Sequence, residues 1–221
     1  MTSTLPELRV QRHALIREQV AEILRNAIVG MEFLPGQQLV ERELCEITQA
    51  SRPSIREALR QLESEGLVES RNGRGAVVAA LSKVQARELY ELRAELEGMA
   101  AEWFTRRASP AQRAELHEAL DAIAAAAARD GEGMRAAKDE FYRVLIDGAG
   151  NAFLSDTLAG LQRRVSWLRA LTLRSPGRPA QSVAEIGQIV AAIDAGDALK
   201  ARRIAVQHVE AAAKTALTFA T

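Results

Sequence analysis

Among its 221 residues the chain has a single cysteine, Cys45. That excludes an intramolecular disulfide framework and suits a reducing compartment. Aromatic residues make up only 4%. No apolar run approaches the roughly 18 residues that a membrane span needs. The opening MTSTLPELRVQRH holds no apolar core of the signal-peptide kind, so a cytoplasmic protein with no membrane partner is expected. Excess charge is missing too. The 29 basic residues face 29 acidic ones, so any attraction for a polyanion must be local. A Gly-rich phosphate loop, a G-x-S-x-G elbow and a metal-ligand cluster are all absent. These absences argue against an enzyme, and no cofactor is expected.

The composition that remains, 48% hydrophobic and 26% charged with many alanines, suits a helical globular protein. Its first 80 residues carry a local pattern. A helix is expected from about Gln11 to Val29, with Leu15, Ile16, Val20, Ile23, Leu24 and Ala27 inward. FLPGQQLV is a Pro-Gly turn. ERELCEITQ is a short helix with Leu44 and Ile47 inward, and Cys45 beside them reads as a small buried apolar residue. SRPSIREAL then opens a helix running to about Glu65. Ser51 is placed to cap it and Pro53 is tolerated in its first turn. Ile55, Ala58, Leu59 and Leu62 recur on its buried face. Arg52, Arg56 and Arg60 form a neighbouring stripe. From Arg42 to Arg74 there are six arginines and no lysine. Exposed guanidinium groups at a helix start with free N–H groups suit an anion.

After Gly66 the period changes. LVES and AVVAA are short and β-leaning, and the RNGRG between them carries the hairpin signal Asn72-Gly73. Two short helices followed by a two-stranded wing, in this order, make a winged helix-turn-helix. The stretch PGQQLVERELCEITQASRPSIREALRQLESEGLVESRNGRGAVV closely resembles the DNA-binding domain of the GntR family of bacterial transcription regulators. The resemblance implies that Arg42 contacts phosphate. It implies that Ser51, Arg52, Ser54 and Arg56 meet phosphates and base edges in the major groove of operator DNA, with Asn72 and Gly73 near the minor groove. Arginine chemistry agrees, since a guanidinium pairs bidentately with guanine O6 and N7.

Residues 81–221 read as helices near 83–107, 110–129, 132–149, 152–173, 180–195 and 197–218, with starts at Ser109-Pro110, Asn151 and Asp197. The expected fold is therefore mainly α. A winged helix-turn-helix with a small β-hairpin wing occupies residues 1–80, and an all-helical bundle occupies 81–221. LYELRAELEGMAA, FYRVLIDGAGN and IVAAIDAGDALKARRIAVQHVEAA resemble the FCD ligand-binding domain of the FadR subfamily. That resemblance implies a homodimer and a small effector, often a carboxylate, held within the bundle. Many such domains hold a divalent metal with an aspartate and three histidines. Here KDEFY puts Lys138 at the aspartate position and Tyr142 at the first histidine. Asp139 is one residue out of step, Ile186 replaces the next histidine, and only His208 remains. No metal is expected.

For an effector, Arg93 projects among Leu89, Leu96 and Ala100. Tyr142 lies among Phe141, Leu145 and Ala149, and His208 shares a stripe with Ala201, Ile204 and Ala212. Arg164 and Arg169 flank an apolar stripe. These five form a candidate pocket in which arginine grips a carboxylate. Arg93 has an alternative, a buried pair with Glu97. Arg174 and Arg178 fall on a loop, solvated or lid-like. Trp103 and Trp167 suit core or dimer-interface anchors. The expected function is a ligand-responsive DNA-binding regulator that represses a catabolic operon until a small organic acid releases it. An architectural DNA binder with an empty second domain is the alternative.

Overall fold

The computed structural model describes residues 12–129 and 133–220, with side chains from Ile16 onward. The expected helix starts at Gln11 and residue 132, and the side chain of Leu15, lie outside the described residues. The chain divides into two compact units, with the boundary between Ala79 and Ala80.

The first unit contains α1 (Arg12–Val29), α2 (Glu41–Thr48), α3 (Arg52–Ser64), β1 (Val68–Arg71) and β2 (Gly75–Val78). Its core joins Val20, Leu24 and Ile28 of α1 to Leu44, Ile55, Leu59 and Leu62, and closes on Leu67, Val68 and Val78. Ile16 and Ile23 were expected inward but are exposed. The α1 stripe that packs is Val20, Ala21, Leu24 and Ile28, and Ile23 falls on its flank. Ile47 is 68% exposed, because the eight-residue α2 offers little more than two turns and buries Leu44 alone. Cys45 is half-buried against the same core.

The strands pair antiparallel from Val68↔Val78 to Arg71↔Gly75. Gly73 and Gly75 have φ of +78° and +69°, values a side chain would resist. Asn72 does not share the positive φ, so this loop is not the two-residue type I′ turn that Asn-Gly favours. Gln38 bridges to Val77, and its side-chain amide donates to the Arg74 carbonyl at 2.6 Å. Glu63 of α3 accepts from the Ser70 N–H at 3.2 Å. The wing is thereby tied to the helix before it.

The second unit is α4 (Lys83–Arg107), α5 (Pro110–Ala128), α6 (Met134–Gly148), α7 (Ala152–Arg164), α8 (Ser166–Leu173), α9 (Arg178–Asp194) and α10 (Ala198–Ala216). Ser82 and Ser109 each form a reciprocal capping box, with Gln85 and Gln112, and Asn151 and Asp197 cap α7 and α10. Phe104, Leu116, Ile123, Phe141, Leu145, Ile189 and Ala201 are among its core residues. Helices α4 and α10 approach closely at Gly98, where a Cβ would stand 2.8 Å from Val206 Cγ2. Two expectations need correction. The single helix over 152–173 breaks at Val165 (φ −98°, ψ 6°) into α7 and α8. Helix α9 starts at Arg178 rather than residue 180, which carries Arg178 off the expected loop and into the interior.

Candidate functional site

The head of α3 is built from its cap. Ser51 is extended (φ −72°, ψ 152°) and its hydroxyl accepts from the Ser54 N–H at 3.4 Å. The two serine hydroxyls also share a hydrogen bond of 2.9 Å. Ser54 is buried, so its hydroxyl braces Ser51 rather than facing solvent. Ser51, Arg52 and Arg56 are exposed, as are Arg42 on α2 and Asn72, Gly73 and Arg74 at the wing tip. Acidic partners temper this surface. Arg56 Nε lies 2.9 and 3.0 Å from the two Glu41 oxygens. Arg42 lies 4.0 Å from Glu46, and Arg60 is 2.7 Å from Glu57. Arg52 has no ion-pair partner among the described residues. Such local compensation fits a chain whose formal net charge is zero.

The second unit holds a buried ionic cluster around a cavity of about 20 Å³, space for a water molecule or two. Tyr90 and Arg93 line it from α4, Lys138 and Tyr142 from α6, Arg169 from α8, Arg178 from α9 and His208 from α10. Leu173, Val209 and Ala212 supply an apolar wall. Arg93 donates to Glu97 Oε1 from Nε at 3.0 Å and from Nη2 at 2.6 Å, with both residues buried. Arg178 donates to Glu185 at 2.8 and 2.9 Å. Arg169 lies 2.9 Å from Asp139 and stacks 5.7 Å from the Tyr142 ring centroid. Lys138, only 6% exposed, donates to Ser182 Oγ at 2.8 Å.

Protonation follows from these surroundings. Burial, then the cations Arg169 and Arg178, push the Lys138 ammonium down to about 7. Burial and Lys138 push His208 down to about 4, against the pull of Glu185. A neutral His208 hydrogen-bonds Glu185 through Nδ1, so Nδ1 carries the proton and Nε2 is left as an acceptor. Burial raises Tyr142, and Glu97 raises it further. Burial pushes the Glu97 carboxyl up, but Arg93 outweighs this and holds it below the usual carboxylate range.

Of the residues picked out in sequence, the cavity brings together Arg93, Tyr142, Arg169 and His208. Arg164 is exposed at the end of α7 and is not part of the lining. The break at Val165 turns the chain between Arg164 and Arg169, so they do not share one helical stripe. Lys138 and Arg178 were missed as lining groups, and so was Tyr90. Tyr90 and Arg178 read in sequence as ordinary helix or loop surface, and only their convergence from separate helices marks them; Lys138 carried one signal, its place at the aspartate position of the FCD resemblance. Trp167 is buried, and Trp103 packs against the core with Arg107 stacked 4.5 Å from its ring centroid.

Residues 88–211 match the FCD domain, and residues 16–78 match the bacterial regulatory proteins of the gntR family. The chain is a GntR-family regulator with an FCD domain. One relative is an HTH-type transcriptional regulator of Agrobacterium vitis from the TAR-I ttuE-ttuC' intergenic region. It is 35% identical over 56% of this chain and 74% of its own. The HTH-type transcriptional repressor RspR of Escherichia coli is 26% identical, over 88% of this chain and 86% of its own. Among solved structures, E. coli McbR/YncC superposes with a TM-score of 0.76 at 22% identity, covering 92% of this chain and 95% of that one. A putative GntR regulator from Rhodococcus sp. RHA1 gives 0.77 at 24% identity, covering 91% and 97%. These similarities are to transcription regulators, a class without catalytic turnover. Among the described residues, no helix of this FCD regulator is long and apolar enough to cross a membrane.

The divalent metal that the FCD resemblance implies does not fit this donor set. Lys138 is a cationic donor where a ligating carboxylate would be needed, Tyr142 is held as a neutral phenol, and Ile186 is apolar and buried. His208 already spends Nδ1 on Glu185. A buried ammonium beside several guanidinium groups repels a dication.

Proposed function

We propose that this GntR-family regulator acts as a cytoplasmic homodimer that represses a catabolic operon and leaves its operator when a small organic acid enters the FCD cavity. DNA-binding, ligand-responsive transcription regulation is the function of the family. Repression accords with the similarity to the repressor RspR and to the NanR repressor of Enterobacter sp., which is 40% identical over 91 residues, 41% of this chain and 33% of its own. The observation that carries the effector reading is the convergence of Arg93, Lys138, Arg169 and Arg178 on one buried cavity. Cations removed from water in such number need an anion or a dense set of acceptors. Arg93 Nη1 and Arg178 Nη2 make no hydrogen bond among the described residues, so donors remain for a carboxylate. Tyr142 and His208 would shape its outline. An acid entering the cavity would displace lining side chains, and that displacement is what would favour one arrangement of the reading heads over another.

On DNA, two copies of α3 would enter successive major grooves roughly 34 Å apart. Arg52 and Arg56 would reach base edges, Arg42, Ser51 and the first-turn N–H groups would take phosphates, and Asn72 and Gly73 would bring the wing toward the minor groove. Ser54 would position Ser51 rather than touch the duplex. Dimerisation is supported by Leu92 on α4 and Leu199 on α10, large apolar residues left exposed in the single chain. The test is selection of duplexes from random DNA by the purified chain, followed by footprinting with and without candidate acids. Two protected half-sites that an acid uncovers support the proposal. No enrichment even at low salt, or protection that no acid alters, contradicts it.

A further inference from the structure

The charges around the cavity are balanced residue by residue, with one exception. Arg93 is matched by Glu97 at 2.6 Å, Arg169 by Asp139 at 2.9 Å and Arg178 by Glu185 at 2.8 Å. His208 is neutral and shares Glu185. Tyr90 and Tyr142 are held as neutral phenols. Lys138 alone among the lining cations has no carboxylate partner among the described residues, and its one hydrogen bond goes to the uncharged Ser182 hydroxyl. We infer that the Lys138 ammonium is the counter-ion of the effector, and that the effector is a small monocarboxylate with a single negative charge and an apolar body. The inference rests on the effector site proposed above.

The counting of charges leads to the specificity. One anionic group placed on Lys138 leaves every buried cation paired. A second negative charge would find only arginines already committed to their own carboxylates, so it must break such a pair or stay buried unpaired. The free donors Arg93 Nη1 and Arg178 Nη2 can bind the other carboxylate oxygen without adding uncompensated charge. Leu173, Val209 and Ala212 supply apolar lining suited to an aliphatic or aromatic body.

The experiment is isothermal titration of the full chain with matched acids, propionate against malonate, butyrate against succinate and benzoate against phthalate. It is run on the wild type, Lys138→Met and Lys138→Gln, with folding checked by circular dichroism. At least one monocarboxylate should bind wild type about tenfold or more tighter than its dicarboxylate counterpart. Both variants should lose about 30-fold or more of that affinity. A dicarboxylate that binds as well as its partner, or monocarboxylate binding that survives in both folded variants, overturns the inference while leaving the effector site standing. If no acid of either class binds the wild type, the effector site falls and this inference with it.

Discussion

Replacing Arg93 by methionine would leave Glu97 in a position that is 1% exposed without the guanidinium that now donates to it at 2.6 and 3.0 Å. Removing one partner of a buried ion pair costs about 3–5 kcal/mol, because the remaining charge is stranded. Arg169 also acts on Glu97, so the lower end, about 3 kcal/mol, is expected here. For a domain of this size each kcal/mol moves the melting temperature by about 2–4 °C, so Arg93→Met should melt about 6–12 °C lower. The double variant Arg93→Met/Glu97→Leu should recover most of the loss, since replacing both charges by apolar groups is often neutral or stabilising. Acid gives a second readout. The Glu97 carboxyl titrates lower folded than unfolded, so its contribution is present above about 4.5 and is lost as pH falls through its folded value. The double variant should lack that component of acid sensitivity. Calorimetric unfolding of the wild type, Arg93→Met, Glu97→Leu and the double variant closes the cycle. A melting temperature unchanged in Arg93→Met, or a double variant as unstable as the sum of the singles, would refute the reasoning.

Lys138 titrates near 7 in the fold against about 10.5 in the open chain. Its burial therefore costs nothing above pH 10.5 and most below pH 7, so Lys138→Met should stabilise the chain at pH 7, with the gain shrinking in alkaline denaturation curves. For the same reason effector affinity should fall by up to about tenfold per pH unit above 7, measured by titration calorimetry. Arg52→Ala and Arg56→Ala should each weaken operator binding by about 5- to 150-fold if both read bases, with unchanged thermal melts. Unchanged gel-shift affinity for both would remove them from the interface. Gly148→Ala should lower stability by about 1–3 kcal/mol, because a Cβ there would stand 2.4 Å from the Phe104 ring. Ser51→Ala should remove about 1 kcal/mol of cap stability, seen in urea unfolding.

The DNA-binding unit was legible because its boundaries carry local chemistry. Ser51 caps α3, Pro53 sits in its first turn, and Gly73 takes the positive φ that the hairpin tip requires. Periodicity also found the α3 core face. It failed where burial depends on what lies opposite. Ile16, Ile23 and Ile47 are apolar and helical yet lie exposed among the described residues. The break at Val165 involves neither glycine nor proline, so no local signal announces it. Arg178 follows a Pro-Gly pair that reads as loop, yet Gly177 is the left-handed N-cap of α9 and places Arg178 in the first turn, against Glu185. The effector candidate was half legible. Arg93 and its alternative partner Glu97 are four apart on one helix, a spacing visible in sequence. Lys138, Arg169, Arg178 and His208 meet only through tertiary packing.

Coupling between the two units is the central claim, and one comparison reaches it directly. The dissociation constant of the full chain for a duplex it has itself selected should be measured by fluorescence anisotropy, with and without a carboxylate at a concentration shown to fill the FCD cavity. The account predicts a weakening of about 5- to 150-fold in the wild type and none in Lys138→Met. Equal DNA affinity of the wild-type chain with its cavity empty and filled would contradict it.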